Sequence, residues 1–504
     1  MVTQRSPRTV GHLLLNLFLD RPERAFVTLL ALLVAIVLWS YFRTTGRDGA
    51  IILSDAPILA PVTNLESVTE LVVATRLGPT TYLTQPDGRT VGLEHDLALK
   101  FGEYLGKPVR FLVLDNLDQV LKAVSTQRAH LAAAAVHVSP QLSQRFEFTV
   151  PYQQSRPQIV FNATTTPAPQ NVADLVGKRL GVVPDPVHLA ILEKLRTQYP
   201  GLTWKAFPRG DVDLDLLQQV FEGRTQYALS DSNTVSIAQN YYPDLGVAFD
   251  VGPNEPIAWA FPKNTEDPLV QAARNFFGTL NRSGGLARMV ELYYGHINAL
   301  DHEDSSAFLQ KMVSRLPHFS PVFKHAQEST SLDWRLIAAM AYQESQWDNE
   351  AVSPTGVRGI MMLTADTADR LHVSNRLDPR EAIPAAARYL QQLREMIPVR
   401  VPEPDRTWMA LASYNVGFAH LEDARILAQR NRLNPDSWSD VKRMLPLLST
   451  PEVYNTTRSG FARGGEPVIF VENVRSYYDI LARFEKPYRP LGKTAAGLAQ
   501  IGSP

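Results

Sequence analysis

The chain has 504 residues, of which 45% are hydrophobic and 20% charged; it is too long for one compact domain and too apolar for wholesale disorder. Its 50 Lys and Arg and 51 Asp and Glu give a formal net charge of −1, which supplies no global field for nucleic acid. Cysteine is absent, which excludes a thiol nucleophile, a thiolate metal site and any disulfide. The sequence also lacks H-E-x-x-H and glycine-rich phosphate motifs, so we predict neither a metal ion nor a cofactor.

The first informative segment is the apolar run at residues 25–42, AFVTLLALLVAIVLWSYF. At about 1.5 Å per residue it is just long enough to cross a hydrocarbon core of roughly 30 Å. More arginines precede the run than follow it, so the positive-inside rule predicts a cytoplasmic N-terminus at residues 1–24 and export of the rest. Because no small-residue cleavage site follows, a transmembrane anchor is favoured over a cleaved signal peptide or a buried core helix.

A polar connector at residues 43–66 leads into an α/β pattern between residues 67 and 297. Apolar runs such as ELVVAT, HLAAAAVHV and LGVV alternate there with helical stretches, an order typical of parallel sheets. A Thr- and Pro-rich passage at residues 164–169 is expected to divide this region in two, and the later run IAWAFP is expected to cross back as a strand. The pattern predicts one module with two α/β lobes.

Four runs in this region, GLEHDLALKFGEYLGKPV, SPQLSQRFEFTVPY, DLVGKRLGVV and YALSDSN, resemble in sequence and order the bacterial family 3 solute-binding proteins. The resemblance implies a two-lobed, periplasmic-binding-protein-like domain that holds a small ligand between its lobes. Amino-acid-binding members carry an arginine for the ligand carboxylate six positions before the Phe of F-[ST]-x-P-Y, where this chain has Leu142. Asp231, in the place that meets the ligand ammonium, and Asp96, at a helix start, remain candidate ligand contacts.

A second departure from the family follows the LGVV run, where Pro184-Asp185-Pro186 replaces a small hydroxyl residue at a helix N-terminus suited to anions. A carboxylate ligand would also lose its charge-assisted bidentate partner. The departures favour a scaffold or regulatory module that binds a muropeptide, another small ligand or none, over a module that binds free amino acids.

The last third of the chain follows a short acidic linker at residues 298–305. Helical periodicity recurs over residues 306–490, and residues 491–504 are predicted to be a flexible tail. Ser331 is predicted to cap the helix that contains LDWRLIAAMAYQESQW. On that helix Glu344 continues an apolar face; burial and the negative end of the helix dipole would both favour its protonated form, as a general acid requires.

Two further motifs follow Glu344: a glycine-punctuated loop ending in GIMMLT, and the run ASYNVG. The series E-S-x-[FW], G-[IL]-M-x-L and A-x-Y-N-x-G resembles that of the family 1 lytic transglycosylases, which have a lysozyme-like fold. The later runs WSDVKRMLPLLSTPEVY and GFARGGEPVIFVENVRSYYDIL are similar to the membrane-bound lytic murein transglycosylase F subfamily, whose members also carry a solute-binding module ahead of the catalytic one.

This resemblance implies cleavage of the β-1,4 bond between N-acetylmuramic acid and N-acetylglucosamine in peptidoglycan, without water, to give 1,6-anhydromuramyl products. Glu344 takes the catalytic place. Ordinary glycosidases need two carboxylates, whereas here Asp348 and Glu350 lie past the helix end and are predicted to be loop surface. The resemblance also implies four substrate-binding residues, Ser345, Met361, Tyr414 and Asn415; for Ser345 a helix cap is an equal alternative.

The sequence thus predicts a multidomain protein, α/β and then mainly α: one N-terminal transmembrane helix, a two-lobed α/β domain and a lysozyme-like helical domain. Its expected partners are peptidoglycan strands and a membrane, with no nucleic acid. We expect it to be anchored in the inner membrane with its catalytic part in the periplasm; cleavage would leave it periplasmic and peripheral to the outer membrane. A non-catalytic envelope sensor and a hydrolytic muramidase remain alternatives.

Overall fold

The computed structural model describes residues 56–84, 90–207, 212–263, 267–297, 299–353 and 356–489, the side chains of residues 212 and 213 excepted. The anchor expected at residues 25–42 and the tail expected at residues 491–504 lie outside these ranges. Within the described ranges, no helix combines the length and the apolar character that crossing a membrane requires.

The described residues form a first module of strands and helices and a second module of helices. The strands are β1 (Leu71–Arg76), β2 (Leu83–Thr84), β3 (Thr90–Val91), β4 (Val109–Leu114), β5 (Leu131–Ala132), β6 (Phe146–Phe148), β7 (Gln153–Ser155), β8 (Pro157–Asn162), β9 (Leu180–Val182), β10 (Trp204–Ala206), β11 (Tyr227–Asp231), β12 (Leu245–Asp250), β13 (Glu255–Ile257) and β14 (Ala260–Pro262). The helices of the first module are α1 (Leu93–Leu105), α2 (Leu117–Ser125), α3 (Pro140–Ser143), α4 (Pro186–Gln198), α5 (Val212–Phe221), α6 (Ser232–Tyr241), α7 (Pro268–Arg282) and α8 (Gly285–Tyr294). Those of the second are α9 (His302–Ser314), α10 (Leu316–Thr330), α11 (Trp334–Ser345), α12 (Ala365–Arg370), α13 (Pro379–Met396), α14 (Asp405–Val416), α15 (Phe418–Arg430), α16 (Trp438–Met444), α17 (Pro451–Tyr454) and α18 (Gly465–Phe484). Short 3-10 helices lie at Leu65–Ser67, Val172–Leu175 and Leu445–Ser449.

The first lobe is built on a sheet with strand order β4-β1-β5-β14-β6. Strand β1 pairs in parallel with β4 and with β5, and its apolar run is buried almost throughout. Helices α1 and α7 supply Leu97, Phe101, Phe276 and Phe277 to the same core. A nearly continuous apolar strand is what a parallel sheet covered by helices requires.

The second lobe is built on a sheet with strand order β10-β9-β11-β8-β12. The lobes are joined by a two-stranded ribbon of β7 and β13, after which β14 returns the chain to the first lobe. The run IAWAFP therefore does cross back, as expected. The Thr- and Pro-rich passage at residues 164–169, however, lies after β8 inside the second lobe, and the division between the lobes falls at β7.

Helix α11 runs through the centre of the second module. All of its residues from Trp334 to Tyr342 are buried, because α10, α13 and α18 pack around it. A helix that is apolar on every side belongs in a core rather than at a surface. The largest of its side chains, Trp334 and Tyr342, join a core cluster that spans the whole module.

The start of α11 differs from the sequence expectation. Ser331 has a left-handed backbone with φ of 59° and ends α10, so it lacks the extended conformation that an N-cap needs. Asp333 is the N-cap instead, and its side chain accepts a hydrogen bond from the amide of Arg335 at 2.9 Å. The helix ends at Gln346, which is also left-handed.

The two modules meet where α8 of the first packs near α16 and α18 of the second. The hydroxyl of Ser476 donates to the carbonyl of His296 at 2.8 Å, and Arg475 donates to the carbonyl of Leu292 at 2.8 Å. Lys442 lies between the carboxylates of Glu291 and Glu472. Because α18 also packs along α11, the interface between the modules is one helix away from Glu344.

Candidate functional site

Glu344 lies in the last turn of α11 and is half-buried, while Ile337 and Ala341 on the same face are completely buried. Burial raises the pKa of Glu344 to about 8, and burial is the only cause of that rise. The side chain therefore carries a proton near neutral pH, as predicted from its place on an apolar face. Among the described residues, no neighbouring carboxylate contributes to the shift.

Ser345 connects the end of α11 to the neighbouring glycine-punctuated loop that ends in GIMMLT. Its hydroxyl lies 2.9 Å from the carbonyl of Ile360 and 3.1 Å from the carbonyl of Ala341. The first contact joins the helix to the glycine-punctuated loop, and the second is a bond back to its own helix. With only 8% of its surface exposed, Ser345 is placed to hold the loop beside Glu344.

The loop itself depends on Gly359, which has φ of 83°. A Cβ atom at this position would lie 2.1 Å from the carbonyl oxygen of Arg376, so both the backbone conformation and the space require glycine. The guanidinium of Arg376 in turn donates to the carbonyl of Leu363 at 3.0 Å. Arg376 therefore holds one end of the GIMML run and passes close to the other, an arrangement of distant segments that the motif does not reveal.

Tyr414 reaches the same loop from the last turn of α14. Its hydroxyl donates to the carbonyl of Met361 at 3.0 Å. Burial raises the pKa of Tyr414 well above its usual range, and the nearby carboxyl group of Glu344 adds to that rise when it is ionised. The ring of Tyr389, on α13, lies 5.6 Å from that of Tyr414; sequence reasoning did not single out Tyr389.

The structure differs from expectation at Met361, whose side chain is fully buried in the core of the module. It contributes to the site through its carbonyl rather than through a side chain that lines a cleft, because the loop turns the thioether inward. Asn415 is exposed, next to Tyr414. Glu344, Ser345 and Tyr414 are thus brought together, with Asn415 at the surface beside them.

Asp348 and Glu350 lie beyond the end of α11, as expected. The Asp348 carboxylate accepts a hydrogen bond from the amide of Glu350 at 3.0 Å and lies 3.9 Å from a guanidinium nitrogen of Arg315. Glu350 is exposed. Asp348 and Glu350 thus belong to the loop that follows the helix.

In the first module, Asp231 lines a cleft between the lobes together with Arg76 and Tyr294. Its carboxylate is already accompanied by two buried imidazoles, with Nε2 of His188 at 3.1 Å and Nε2 of His137 at 3.3 Å. The motif comparison did not single out either histidine.

Asp96 lies apart from the residues that line this cleft. It accepts a hydrogen bond from the hydroxyl of Tyr293 and lies 2.8 Å from Nδ1 of His95. These contacts tie α1 to α8. Leu142, which stands where an arginine would meet a ligand carboxylate, is buried.

Comparison with known families agrees with this two-module arrangement. Residues 71–296 match the sequence profile of the bacterial extracellular solute-binding proteins, family 3, and residues 321–434 match that of the transglycosylase SLT domain. A solute-binding domain followed by an SLT domain defines a modular lytic transglycosylase. A crystal structure of a mutant of ArgBP from T. maritima is similar to 46% of this chain and 97% of its own, with a TM-score of 0.41 and 21% identity.

Two relatives identify a more specific family among the lytic transglycosylases. The chain is 46% identical to the membrane-bound lytic murein transglycosylase F of Methylobacillus flagellatus over 86% of this chain and 92% of that protein. It is 43% identical to the protein of the same name from Nitrosospira multiformis over 87% of this chain and 91% of that protein. The chain therefore belongs to the membrane-bound lytic murein transglycosylase F family. It is an enzyme that acts on peptidoglycan, and neither the non-catalytic sensor nor the hydrolytic muramidase is favoured.

Proposed function

We propose that Glu344 performs the transglycosylase reaction as a single acid and base. In the first step its carboxyl proton passes to the glycosidic oxygen as the bond from that oxygen to the muramyl anomeric carbon breaks. In the second step the 6-hydroxyl of the same sugar forms the new bond to the anomeric carbon and gives its proton to the Glu344 carboxylate. Atoms and charge balance without water, and the enzyme ends as it began.

The observation that carries this proposal is a protonated, half-buried carboxyl group whose pKa no second acid among the described residues affects. A pKa of about 8 keeps the proton on Glu344 near neutral pH, so it is an acid before it is a base. A hydrolytic mechanism would need a second carboxylate to activate water or to attack the sugar. The nearest sequence candidates lie past the helix end, where the Asp348 carboxylate contacts the amide of Glu350 and Arg315, and Glu350 is exposed.

The supporting residues are proposed to act in two ways. Ser345 and Tyr414 hold the loop by its carbonyls, which fixes the wall of the site beside Glu344. Asn415 is exposed next to them and offers an amide to the sugar. Preorganised neighbours of this kind lower the barrier by orienting the substrate rather than by reacting.

The chain is also proposed to be held in the inner membrane by residues 25–42, with its catalytic part in the periplasm. Support comes from the apolar run, the arginines that precede it and the name of the relatives, which describes them as membrane-bound. For the first module we propose a regulatory role with a muropeptide or a similar small ligand, supported by the interlobe cleft that Arg76 and Tyr294 line.

The test of the central proposal is product analysis on purified sacculi. Glu344→Gln keeps the shape of the side chain but removes its proton-transfer ability, so release of anhydromuropeptides should fall to background while the protein still binds sacculi. Glu350→Gln, the same change at an exposed position, should leave product release unchanged. Mass spectrometry separates the anhydro product from the reducing end that hydrolysis would give, and undiminished release by Glu344→Gln would refute the assignment.

A further inference from the structure

A cluster of four titratable side chains lies at the cleft between the lobes of the first module. His137 belongs to the first-lobe side of the hinge. Two hydrogen bonds hold the segment beside it to the ribbon of β7 and β13. The amide of Val138 donates to the carbonyl of Pro256 at 2.8 Å, and the amide of Ala258 donates to the carbonyl of Val136 at 3.1 Å. The other three side chains belong to the second lobe: Asp185 and His188 at the start of α4, and Asp231 at the end of β11. The cluster therefore joins one lobe to the other through His137.

The ring of His137 lies between the two carboxylates. Its Nδ1 is 3.5 Å from Asp185 and its Nε2 is 3.3 Å from Asp231. These separations are long for hydrogen bonds, so the attraction is chiefly between charges. The three side chains are 3%, 7% and 13% exposed, and buried carboxylates need a cation close by.

The charges of the cluster balance when both histidines are protonated. His188 lies 3.1 Å from Asp231 within the second lobe, so two imidazolium groups face two carboxylates. The carboxylates raise the pKa of His137 well above its usual range and raise that of His188 too. The imidazoles in turn lower the pKa of Asp185 to about 2 and that of Asp231 well below its usual range.

His137 and Asp185 occupy surroundings that suit a cation and an anion, the two charges that an amino acid carries. The Asp185 side chain caps α4 and accepts a hydrogen bond from the amide of Val187 at 2.8 Å, and a helix N-terminus of this kind is a site for a carboxylate. The His137 ring lies against Asp231, the carboxylate that an ammonium group would approach. The chain thus supplies both an internal anion and an internal cation.

We propose that the His137–Asp185 pair is a built-in substitute for an amino-acid ligand, which holds the two lobes closed in the absence of solute. His137 is the part of the pair that crosses the hinge, so it is the latch. Free amino acids are excluded because both of their binding positions are filled from within. A ligand without a free ammonium group does not compete for Asp231.

The latch has a defined direction of pH dependence. Protonated His137 stabilises the closed state, so closure is complete below its ordinary pKa and is lost as the pH rises through its raised value. Asp185 and Asp231 would weaken the latch only in strong acid, because their pKa values are lowered. The other titratable and charged groups at this cleft are His188, Arg76, Tyr294, Asp115 and Asp118.

The test measures the distance between the lobes in the full-length chain. The sequence has no cysteine, so Lys100→Cys in the first lobe and Lys194→Cys in the second, both at exposed positions, accept spin labels at these two sites alone. Pulsed electron paramagnetic resonance should give one short distance for the otherwise unchanged chain near neutral pH. His137→Gln should lengthen it by more than about 2 Å, the scale of a domain rearrangement.

His188→Gln is the matched control, since it makes the same change beside the same carboxylate but within one lobe. It should keep the short distance. An unchanged distance in His137→Gln, or equal lengthening in both variants, would overturn the proposal. If His137→Gln does not fold, Asp185→Asn is the second variant, because it removes the charge that faces His137 and keeps a side chain that can cap α4. Its distance should lengthen, and a constant distance would overturn the latch.

Discussion

The hydroxyl of Tyr414 donates a hydrogen bond to the main-chain carbonyl of Met361 at 3.0 Å. One partner ends a helix and the other sits in the loop beside Glu344, more than fifty residues earlier in the chain. A hydrogen bond therefore joins the Tyr-Asn motif directly to the glycine loop. The bond holds the loop beside Glu344 by a main-chain carbonyl, and the Met361 side chain itself is buried.

Tyr414→Phe should separate this role from simple packing. The ring remains, but the carbonyl of Met361 loses its donor, which costs about 1–3 kcal/mol for a buried polar group. We expect anhydromuropeptide release to fall roughly tenfold, with a lower melting temperature. Tyr104→Phe, at a half-exposed tyrosine of the first module, is the control and should match the unmodified chain; equal activity in both variants would contradict the role given to Tyr414.

The pH dependence of the reaction should show a single falling limb on the alkaline side. Glu344 must be protonated to start the reaction, and its pKa of about 8 means that the rate falls as the pH rises through that value. An ordinary carboxylic acid would lose its proton near pH 4.5. Initial rates on sacculi across neutral and alkaline pH measure this limb, and a rate that already falls between about pH 4 and 5 would contradict a protonated Glu344.

The same pKa shift predicts an effect on stability. In the unfolded chain Glu344 loses its proton near its ordinary pKa of 4.5, whereas in the folded protein it keeps the proton up to about 8. Stability associated with this group is complete below the ordinary value and is lost as the pH rises through the raised one. Glu344→Gln should therefore gain stability over the unmodified chain as the pH rises, by on the order of a few kcal/mol in alkaline solution.

Urea unfolding of the two proteins at acidic and alkaline pH measures that difference directly. Little difference is expected in acid, where both side chains are neutral. Glu350→Gln, at an exposed position, should show no growth of the difference with pH. A Glu344→Gln variant that is equally or less stable than the unmodified chain in alkaline solution would show that the carboxyl group is not held protonated by burial.

Glu344, Ser345, Tyr414 and Asn415 could be proposed from the sequence because each lies in a local motif at the end of a helix. Glu344 was located by the apolar face that it shares with Ile337 and Ala341, and burial follows from that periodicity. The helix cap was assigned to Ser331 instead of Asp333, because the left-handed turn that ends the preceding helix at Ser331 is not encoded in the residue type alone.

Contacts between distant segments could not be predicted from the sequence. His137 sits in an apolar run that predicts a strand, and only the fold shows that the hinge brings it between Asp185 and Asp231. Arg376 likewise carries no motif, yet it supports the glycine loop. Such contacts depend on the pairing of elements and not on local periodicity.

Gly359 and Gly356 provide a matched test of the loop. Both have a left-handed backbone, with φ of 83° and 80°, so alanine is strained at either position by a similar amount. At Gly359 the new Cβ atom would also meet the carbonyl of Arg376 at 2.1 Å, whereas at Gly356 nothing lies within 4 Å. Gly359→Ala should abolish most of the activity and lower the melting temperature clearly more than Gly356→Ala does. Equal effects would mean that backbone strain alone, and not the clash with Arg376, causes the loss.

Arg475 should be the most sensitive residue of the interface between the modules. It is 3% exposed, contacts Glu472 at 2.7 Å and donates to the carbonyl of Leu292 in the first module at 2.8 Å. Arg475→Ala leaves a buried carboxylate with one cation fewer, and breaking a buried pair of this kind costs roughly 3–5 kcal/mol.

Because α18 carries Arg475 and also packs on the catalytic helix, the loss should appear both in thermal unfolding and in the rate on sacculi. Arg463→Ala, which removes an arginine exposed by 75% just before the same helix, should change neither. If Arg475→Ala lowers the melting temperature but leaves the rate per folded molecule unchanged, the interface stabilises the two modules without affecting the position of Glu344. A reduced rate in the folded variant would mean that α18 transmits the contact with the first module to the catalytic helix.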